Sequence, residues 1–248
     1  MANLSPKEID DSNKEQFFRF GAQELPRFFD ETGNRICCVI VMERPHPIFE
    51  LTNLNHFKQA IRDIVLTHHS LFRSEVRVLH RDISLHSLMV RCNDNGAAYG
   101  VLIDFDLASV GEQRDAEQHG RQTVTRRFMA IDLLGNETSL HLERFGWESF
   151  FYVICWIGTH YSNGEEIKSD AFEEWDTDED KLLIHSKQSV LFGLSDPDLR
   201  ILFTDFYKPL VSLWLDDMQS MFFAADQARR KFERAKAANP EEELILEK

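Results

Sequence analysis

The feature that most limits what this chain can fold into is a pair of aspartates, Asp82 and Asp104, that flank a predicted β-hairpin. Asp82 follows His80 and Arg81 in the stretch VLHRDIS, whereas Asp104 lies near the end of the apolar stretch GVLIDF. Between them, SLMVRC and AAYGVLIDF have the composition of two short strands, and the NDNG that joins them is a turn signal because Asn and Gly tolerate positive φ. We therefore expect both carboxylates at one rim of a small sheet.

Helical patterns flank this hairpin on both sides. Residues 54–72 repeat apolar side chains at three- and four-residue steps, which predicts an amphipathic helix. Residues 147–160 are apolar nearly all round, which is typical of a helix buried in a core. The last third of the chain has helical spacing, with a kink expected near Pro209. Residues 107–127 are polar and aperiodic, which predicts an irregular loop, and the acidic run of residues 173–180 predicts a solvated loop.

The length and composition describe a chain that can bury a core. It has 248 residues, of which 43% are hydrophobic. Its net charge of -14 opposes nucleic-acid binding, because such a surface needs a basic stripe. No stretch approaches the about 18 uncharged apolar residues of a membrane span, and the polar N-terminus lacks an apolar signal core. We expect a protein of the cytoplasm or nucleus that binds neither nucleic acid nor membrane.

Two converging carboxylates are what phosphoryl transfer needs. One carboxylate lies near the acceptor hydroxyl, and another holds Mg²⁺ against the phosphates. In protein kinases the motifs H-R-D-x-x-x-x-N and D-F-G supply these groups. Here His80, Arg81 and Asp82 match the first three letters, and Ser87 stands at the Asn position. The second motif reads DFD and begins at Asp104.

Taken together, these segments resemble the fungal-type protein kinase family, a divergent branch of the protein kinase fold. The resemblance rests on AIRDIVLTHHSLF, VLHRDIS, GVLIDFDLAS, RRFMAIDLL and ESFFYVICWI, over about residues 36–160, and the DFD form is usual in that family. It implies an α+β, protein kinase-like fold with a reduced N-terminal β portion and a mostly helical C-lobe. We expect a remnant N-lobe and hinge over residues 1–45, the C-lobe over 46–238 and a loose tail over 239–248.

The resemblance also implies roles for the residues of the first motif. Asp82 would orient the acceptor hydroxyl or accept its proton. His80 would act as a structural brace rather than as a base. Arg81 would brace the loop of residues 107–127 through a phosphate on Thr123 or Thr125.

Further implied roles concern the cofactors, which are ATP and Mg²⁺. Asp104 would bind Mg²⁺, and the hydroxyl of Ser87 could serve as a second ligand, directly or through water. The backbone of Met42 and Glu43 would form the hinge that holds the adenine ring. The implied partner is a protein, bound either as a substrate or as a stable partner.

The upstream part of the chain departs most from the family pattern. A kinase holds its phosphates with a Gly-rich loop and with a strand Lys that a helix Glu fixes in place. Before residue 45 the only glycines are Gly21 and Gly33, and the only lysines are Lys7 and Lys14, which lie in a polar stretch. The sequence offers no credible Lys–Glu pair there, so we expect phosphoryl transfer to be impaired.

Three further departures lie nearer the two aspartates. Ser87 replaces the Asn of the first motif, and Val124 and Arg127 stand where the family tends to have Gly and Pro. Gly146 stands where the family has an Asp that ties the catalytic loop to the following helix, and unpaired donors there would cost about 1–3 kcal/mol. Water or Glu148 could take the place of that Asp.

Three functions stay open on the sequence alone. The first is a protein kinase that uses Mg·ATP, and the second is a catalytically inactive pseudokinase that acts as a protein-binding module. The third is a small-molecule kinase of the aminoglycoside or choline type, since those proteins also have an Asp loop followed by I-D-F-D/E. The stretches HRDIS and FMAIDLL favour the protein kinase branch. A truncated gene product with a missing upstream lobe is also compatible with the sequence.

Overall fold

The computed structural model describes residues 44–93, 95–111, 126–135 and 141–238. Its α-helices are α1 (Leu54–Arg73), α2 (Ile131–Gly135), α3 (Glu143–His160), α4 (Asp180–Phe192), α5 (Asp196–Leu202) and α6 (Asp216–Ala238). Its strands are β1 (His46–Pro47), β2 (Val78–Leu79), β3 (Leu88–Cys92), β4 (Ala98–Leu102), β5 (Ser109–Val110), β6 (Tyr161–Ser162) and β7 (Glu165–Glu166). Short 3₁₀ turns cover Ile48–Glu50, Arg126–Phe128 and Glu173–Asp176, and a π-helical turn covers Val211–Leu215.

The first long helix, α1, begins at a side-chain cap and turns one face to the core. Asn53 caps it, since its Oδ1 accepts hydrogen bonds from the backbone amides of Asn55 (2.9 Å) and His56 (3.2 Å). The helix lies against β4. Gly100 is required at this contact because a Cβ there would come within 1.9 Å of the carbonyl oxygen of Ala60. The buried residues follow the helical spacing expected from the sequence: Phe57, Ala60, Ile61, Ile64 and His68.

Strands β3 and β4 form the predicted hairpin. They pair antiparallel, with Leu88 opposite Leu102, and β1 joins the other edge of β3. Asn93 closes the turn, because its backbone oxygen accepts from the amide of Gly96 (2.9 Å) and its Oδ1 accepts from the amide of Ala97 (2.8 Å). The sheet therefore places the residues before β3 and after β4 at the same end.

Helix α3 lies at the centre of the core. Every residue from Glu148 to His160 is buried, which confirms the prediction of a helix apolar nearly all round. Side chains from later helices complete the same core, among them Leu183, Leu199 and Leu215. Near its start, this helix lines a small cavity together with residues of both loops that carry the aspartates.

The last third of the chain is helical, but it is interrupted rather than kinked near Pro209, because α5 ends at Leu202 and turns cover residues 205–208. Pro209 is followed by the π-helical turn, which leads directly into α6. In the described part of the chain, no helix is both long and apolar enough to cross a membrane.

The prediction of a solvated stretch over residues 173–180 is confirmed for its six acids, all of which are exposed, but not for Trp175. Trp175 lies in the run yet is only 1% exposed, and its ring stacks on Phe172 with centroids 4.4 Å apart. Asp176 of the same run pairs with Arg127 at 2.5 Å. Within this exposed acidic stretch, one buried tryptophan therefore packs into the core, which a count of neighbouring charges does not reveal.

The α+β fold class is confirmed, with small sheets and a mostly helical remainder. The predicted boundaries after residues 45 and 238 stay predictions, because residues 1–43 and 239–248 lie outside the described part of the chain.

Candidate functional site

Two loops lie side by side because a pair of short strands joins them. Strand β2 leads into the loop that carries Asp82, and the loop that carries Asp104 leads into β5; β2 and β5 pair antiparallel. His80 adds a side-chain link, since its Nε2 donates to the carbonyl oxygen of Ile103 at 2.8 Å. The fold thus holds together the two loops on which the candidate carboxylates lie.

His80 is a brace between these loops. It is buried, and its ring packs on Phe105 with centroids 4.6 Å apart. Because Nε2 donates to Ile103, Nδ1 is free to accept, and it receives the backbone amide of Asp82 at 3.3 Å. Burial lowers the pKa of His80, against the opposing effects of the Ile103 carbonyl and of nearby Asp82 and Asp104, which agrees with a neutral ring.

Two residues of the site have left-handed backbone conformations. Arg81 has φ 70° and Asp104 has φ 66°, values that residues with a Cβ rarely adopt. Such a conformation costs of the order of 1 kcal/mol or more, and it persists only where the surrounding structure imposes it. The strain therefore lies on the residue before Asp82 and on Asp104 itself.

The electrostatics at Asp104 favour a bound cation. Burial raises the pKa of this carboxyl, and the negative charges of Asp106 and Asp82 raise it further, while His80 acts in the opposite sense. Among the described residues there is no cluster of three or more His, Cys, Asp or Glu that could hold a metal. One or two carboxylates suit Mg²⁺, however, which commonly completes its shell with waters and substrate phosphates. The residues present fit a magnesium ion that arrives with a nucleotide.

Ser87 has a structural position in the same loop. It is fully buried, and its hydroxyl accepts from the amide of Ser84 (2.9 Å) and donates to the carbonyl of Ser84 (3.0 Å). Its own backbone oxygen accepts from the amide of Ile103 at 3.0 Å. The hydroxyl could ligate a metal only by giving up bonds that close the loop, so its role as a second ligand stays a prediction.

The remaining predicted site residues are only partly placed. Arg81 lies beside Asp82 in the wall of a small cavity. Met42 and Glu43, the proposed adenine hinge, lie outside the described residues, as do Thr123 and Thr125. The adenine and phosphate roles of these four residues remain predictions.

The small cavity lies between the Asp82 loop and the start of α3. Its volume is about 20 Å³, enough for roughly one water molecule. Gly146 lines it, and a Cβ at that position would lie 2.5 Å from Nε2 of His68. The His68 ring therefore occupies the space into which a side chain at position 146 would extend.

His68 is an unusual neighbour for that position. It is 2% exposed, and its Nδ1 has no hydrogen-bond partner within the described ranges. Burial lowers its pKa to about 4, although Glu143 acts to raise it. Glu148, which the sequence offers as a replacement for the absent Asp, lies elsewhere: it accepts from the amide of Ile131 at 2.8 Å.

Sequence reasoning missed His141, which lines the same cavity. Burial lowers its pKa to about 4, and the positive charge of Arg81 lowers it further. Its position in the stretch SLHLERFG gave no signal, because no spacing or motif links it to the Asp82 loop.

Comparison with known proteins gives one family match. The model of a family described as fungal protein kinase matches residues 5–158, more than half of the chain, and this range contains both loops of the site. No curated protein matches the chain significantly.

Proposed function

Because the chain belongs to the fungal protein kinase family, we propose that it transfers a phosphoryl group from Mg·ATP to a hydroxyl of a protein. The observation that carries this proposal is the backbone strain at the site. Arg81 and Asp104 hold left-handed conformations in the two loops that His80 joins. Backbone strain of this kind clusters at functional sites, where the surrounding structure maintains it.

Each acid has its own part in this proposal. Asp82 orients the acceptor hydroxyl and takes its proton as the hydroxyl attacks. Asp104 holds the cation, and the charges of Asp106 and Asp82 around it strengthen that attraction. When bound, Mg·ATP supplies the phosphoryl group and the positive charge that balances its oxygens.

His80 has a positioning part, since it touches the loops and not the acceptor. Its two ring nitrogens bond the Asp82 amide and the Ile103 carbonyl, so one neutral imidazole sets the separation of both loops. Transfer of this kind depends almost wholly on positioning and charge stabilisation. By holding the two loops that carry the carboxylates, His80 would therefore contribute to the rate of transfer.

The test begins with Mg²⁺-dependent ATP binding by calorimetry, on the wild-type chain and on Asp104→Ala. We expect Asp104→Ala to abolish binding, and Asp82→Asn to keep binding but lower the transfer rate by about a hundredfold or more. Asp205→Ala is the matched control, because that acid lies on the surface with its side chain 94% exposed. Transfer that survives Asp82→Asn unchanged would contradict the assignment of this residue.

A second function, that of a non-catalytic kinase-like scaffold, is favoured by two specific observations. The Ser87 hydroxyl is fully engaged with Ser84, and the Asp that would tie the loop to α3 is replaced by Gly146. Absence of calorimetric binding at millimolar ATP, with the chain shown to be folded, would establish the scaffold and reject the enzyme.

A further inference from the structure

Lys187 of α4 is a buried lysine far along the chain from the candidate site. Its side chain is fully buried, and Nζ lies 4.0 Å from the centroid of the Tyr152 ring. Nζ donates hydrogen bonds to the carbonyl oxygens of Met129 and of Arg126, the latter at 3.4 Å. A cation so placed is bonded to backbone rather than to a carboxylate.

Glu148 of α3 bonds the same stretch of backbone. Its Oε1 accepts from the amide of Ile131 at 2.8 Å and from the hydroxyl of Tyr152 at 2.9 Å. Side chains of two helices thus satisfy both a carbonyl and an amide of the segment 126–131. Buried hydrogen bonds of this kind hold the segment at fixed points.

The side chains of the segment are also held. Arg127 pairs with Asp176, and its guanidinium lies 4.3 Å from the centroid of the Trp156 ring. Arg126 pairs with Asp180, which lies at the start of α4. These outer contacts are partly exposed and individually weak, which leaves the buried bonds of Lys187 as the firmest attachment.

The segment forms part of the wall beside the candidate catalytic acid. Met129 lines the cavity that Arg81 and Asp82 also line, and Leu133 of α2 lies next to it. A shift of the backbone near Met129 would therefore move the wall that an acceptor would meet at Asp82.

Stability alone does not require a lysine at this position. Burial of a charge is unfavourable, and an apolar side chain of similar volume often leaves a protein as stable or more so. Burial lowers the pKa of Lys187 to about 7, against the effect of Glu148. What a lysine adds, and a methionine cannot, is a donor to the two carbonyls of the segment.

We propose that Lys187 is a positioning residue that holds the segment 126–131 against the Asp82 loop, where it shapes the acceptor side of the site. The acceptor role rests on the proposed phosphoryl transfer. The attachment of the segment does not, and it can be measured whether or not the chain transfers phosphate.

The experiment compares the wild-type chain with Lys187→Met, Lys187→Arg and the control Lys181→Met, which changes an exposed lysine of the same helix. Amide hydrogen exchange is followed over residues 126–135 and over the loop 80–87. In Lys187→Met we expect exchange of these segments to rise about tenfold or more while α5 is unchanged, and Lys187→Arg to recover part of the protection. If Lys187→Met does not fold, Lys187→Gln is measured in its place and should give a smaller rise.

The outcomes separate this proposal from the proposed function. Unchanged exchange in Lys187→Met, or a rise spread evenly over α5 as well, would overturn the positioning role even if the wild-type chain is an active kinase. A local rise supports it even if no phosphate is transferred. In an active chain we further expect the KM for the protein acceptor to rise about tenfold while ATP affinity stays the same.

Discussion

At the scale of single residues, the site depends on a histidine that carries no charge. His80 donates from one ring nitrogen to Ile103 and accepts at the other from Asp82, which requires the neutral ring. A protonated ring would lose the second bond, and a ring of the same size without nitrogens would lose both. The relative position of the Asp82 and Asp104 loops therefore depends on the neutral form of His80.

This link predicts the effect of His80→Phe. The aromatic ring keeps its packing on Phe105, but the Ile103 carbonyl and the Asp82 amide lose their partners. We expect the free energy of unfolding to fall by about 1–3 kcal/mol and ATP-dependent transfer to fall with it. Urea unfolding and a transfer assay measure both effects. His86→Phe is the control, since His86 lies exposed in the same loop; an equal loss in that variant would contradict the brace.

At the scale of elements, α1 and α3 fit together through His68 and Gly146. A Cβ on Gly146 would lie 2.5 Å from the His68 ring, so the ring and the missing side chain exclude each other. A side chain at position 146 and the ring of His68 therefore cannot both occupy this space.

This exclusion predicts strong coupling in a double-mutant cycle. Gly146→Asp alone should lower the free energy of unfolding by about 1–3 kcal/mol because it overpacks a buried contact. Adding His68→Ala makes room for the carboxylate, and we expect a coupling energy of about 1 kcal/mol or more from urea unfolding of the four proteins. Additive effects would show that the two positions do not share the space.

Elements with a local cause could be predicted from the sequence, and contacts between distant elements could not. The hairpin follows from NDNG and the helix α3 from its apolar run, because both signals lie within the element. The buried Trp175 could not be foreseen in an acidic run, since it packs on Tyr152 of the distant α3 as well as on the nearby Phe172. Neither the positive φ of Asp104 nor the contact of His68 with Gly146 has a signal in either sequence stretch.

At the scale of the whole molecule, the buried His68 and His80 and the partly buried His141 lie at the junction of the Asp82 loop, α1 and α3. Burial is the largest cause of a lowered pKa at His68, His80 and His141, and it lowers the pKa to about 4 at the first and the last. In the unfolded chain each would titrate near its ordinary value of about 6.5. Between pH 4 and 6.5 the unfolded state binds more protons at these histidines than the folded state does. Their contribution to the free energy of unfolding is therefore fully present above about pH 6.5 and is lost as the pH falls towards 4.

The last prediction tests this dependence on one histidine. His141→Gln removes a group whose shift is worth up to about 3 kcal/mol between pH 6.5 and 4, so the unfolding free energy of the variant should fall less steeply over that range. Burial raises the pKa values of Asp104 and Glu148, so these acids make the free energy of unfolding rise as the pH falls. Both acids are present in the two proteins, so their effects cancel in the comparison. Urea unfolding at several pH values measures the two slopes, with the exposed His185→Gln as control. Parallel curves for the wild-type chain and His141→Gln would mean that His141 is protonated as readily in the fold as outside it, and that the cavity beside Asp82 is open to water at that side.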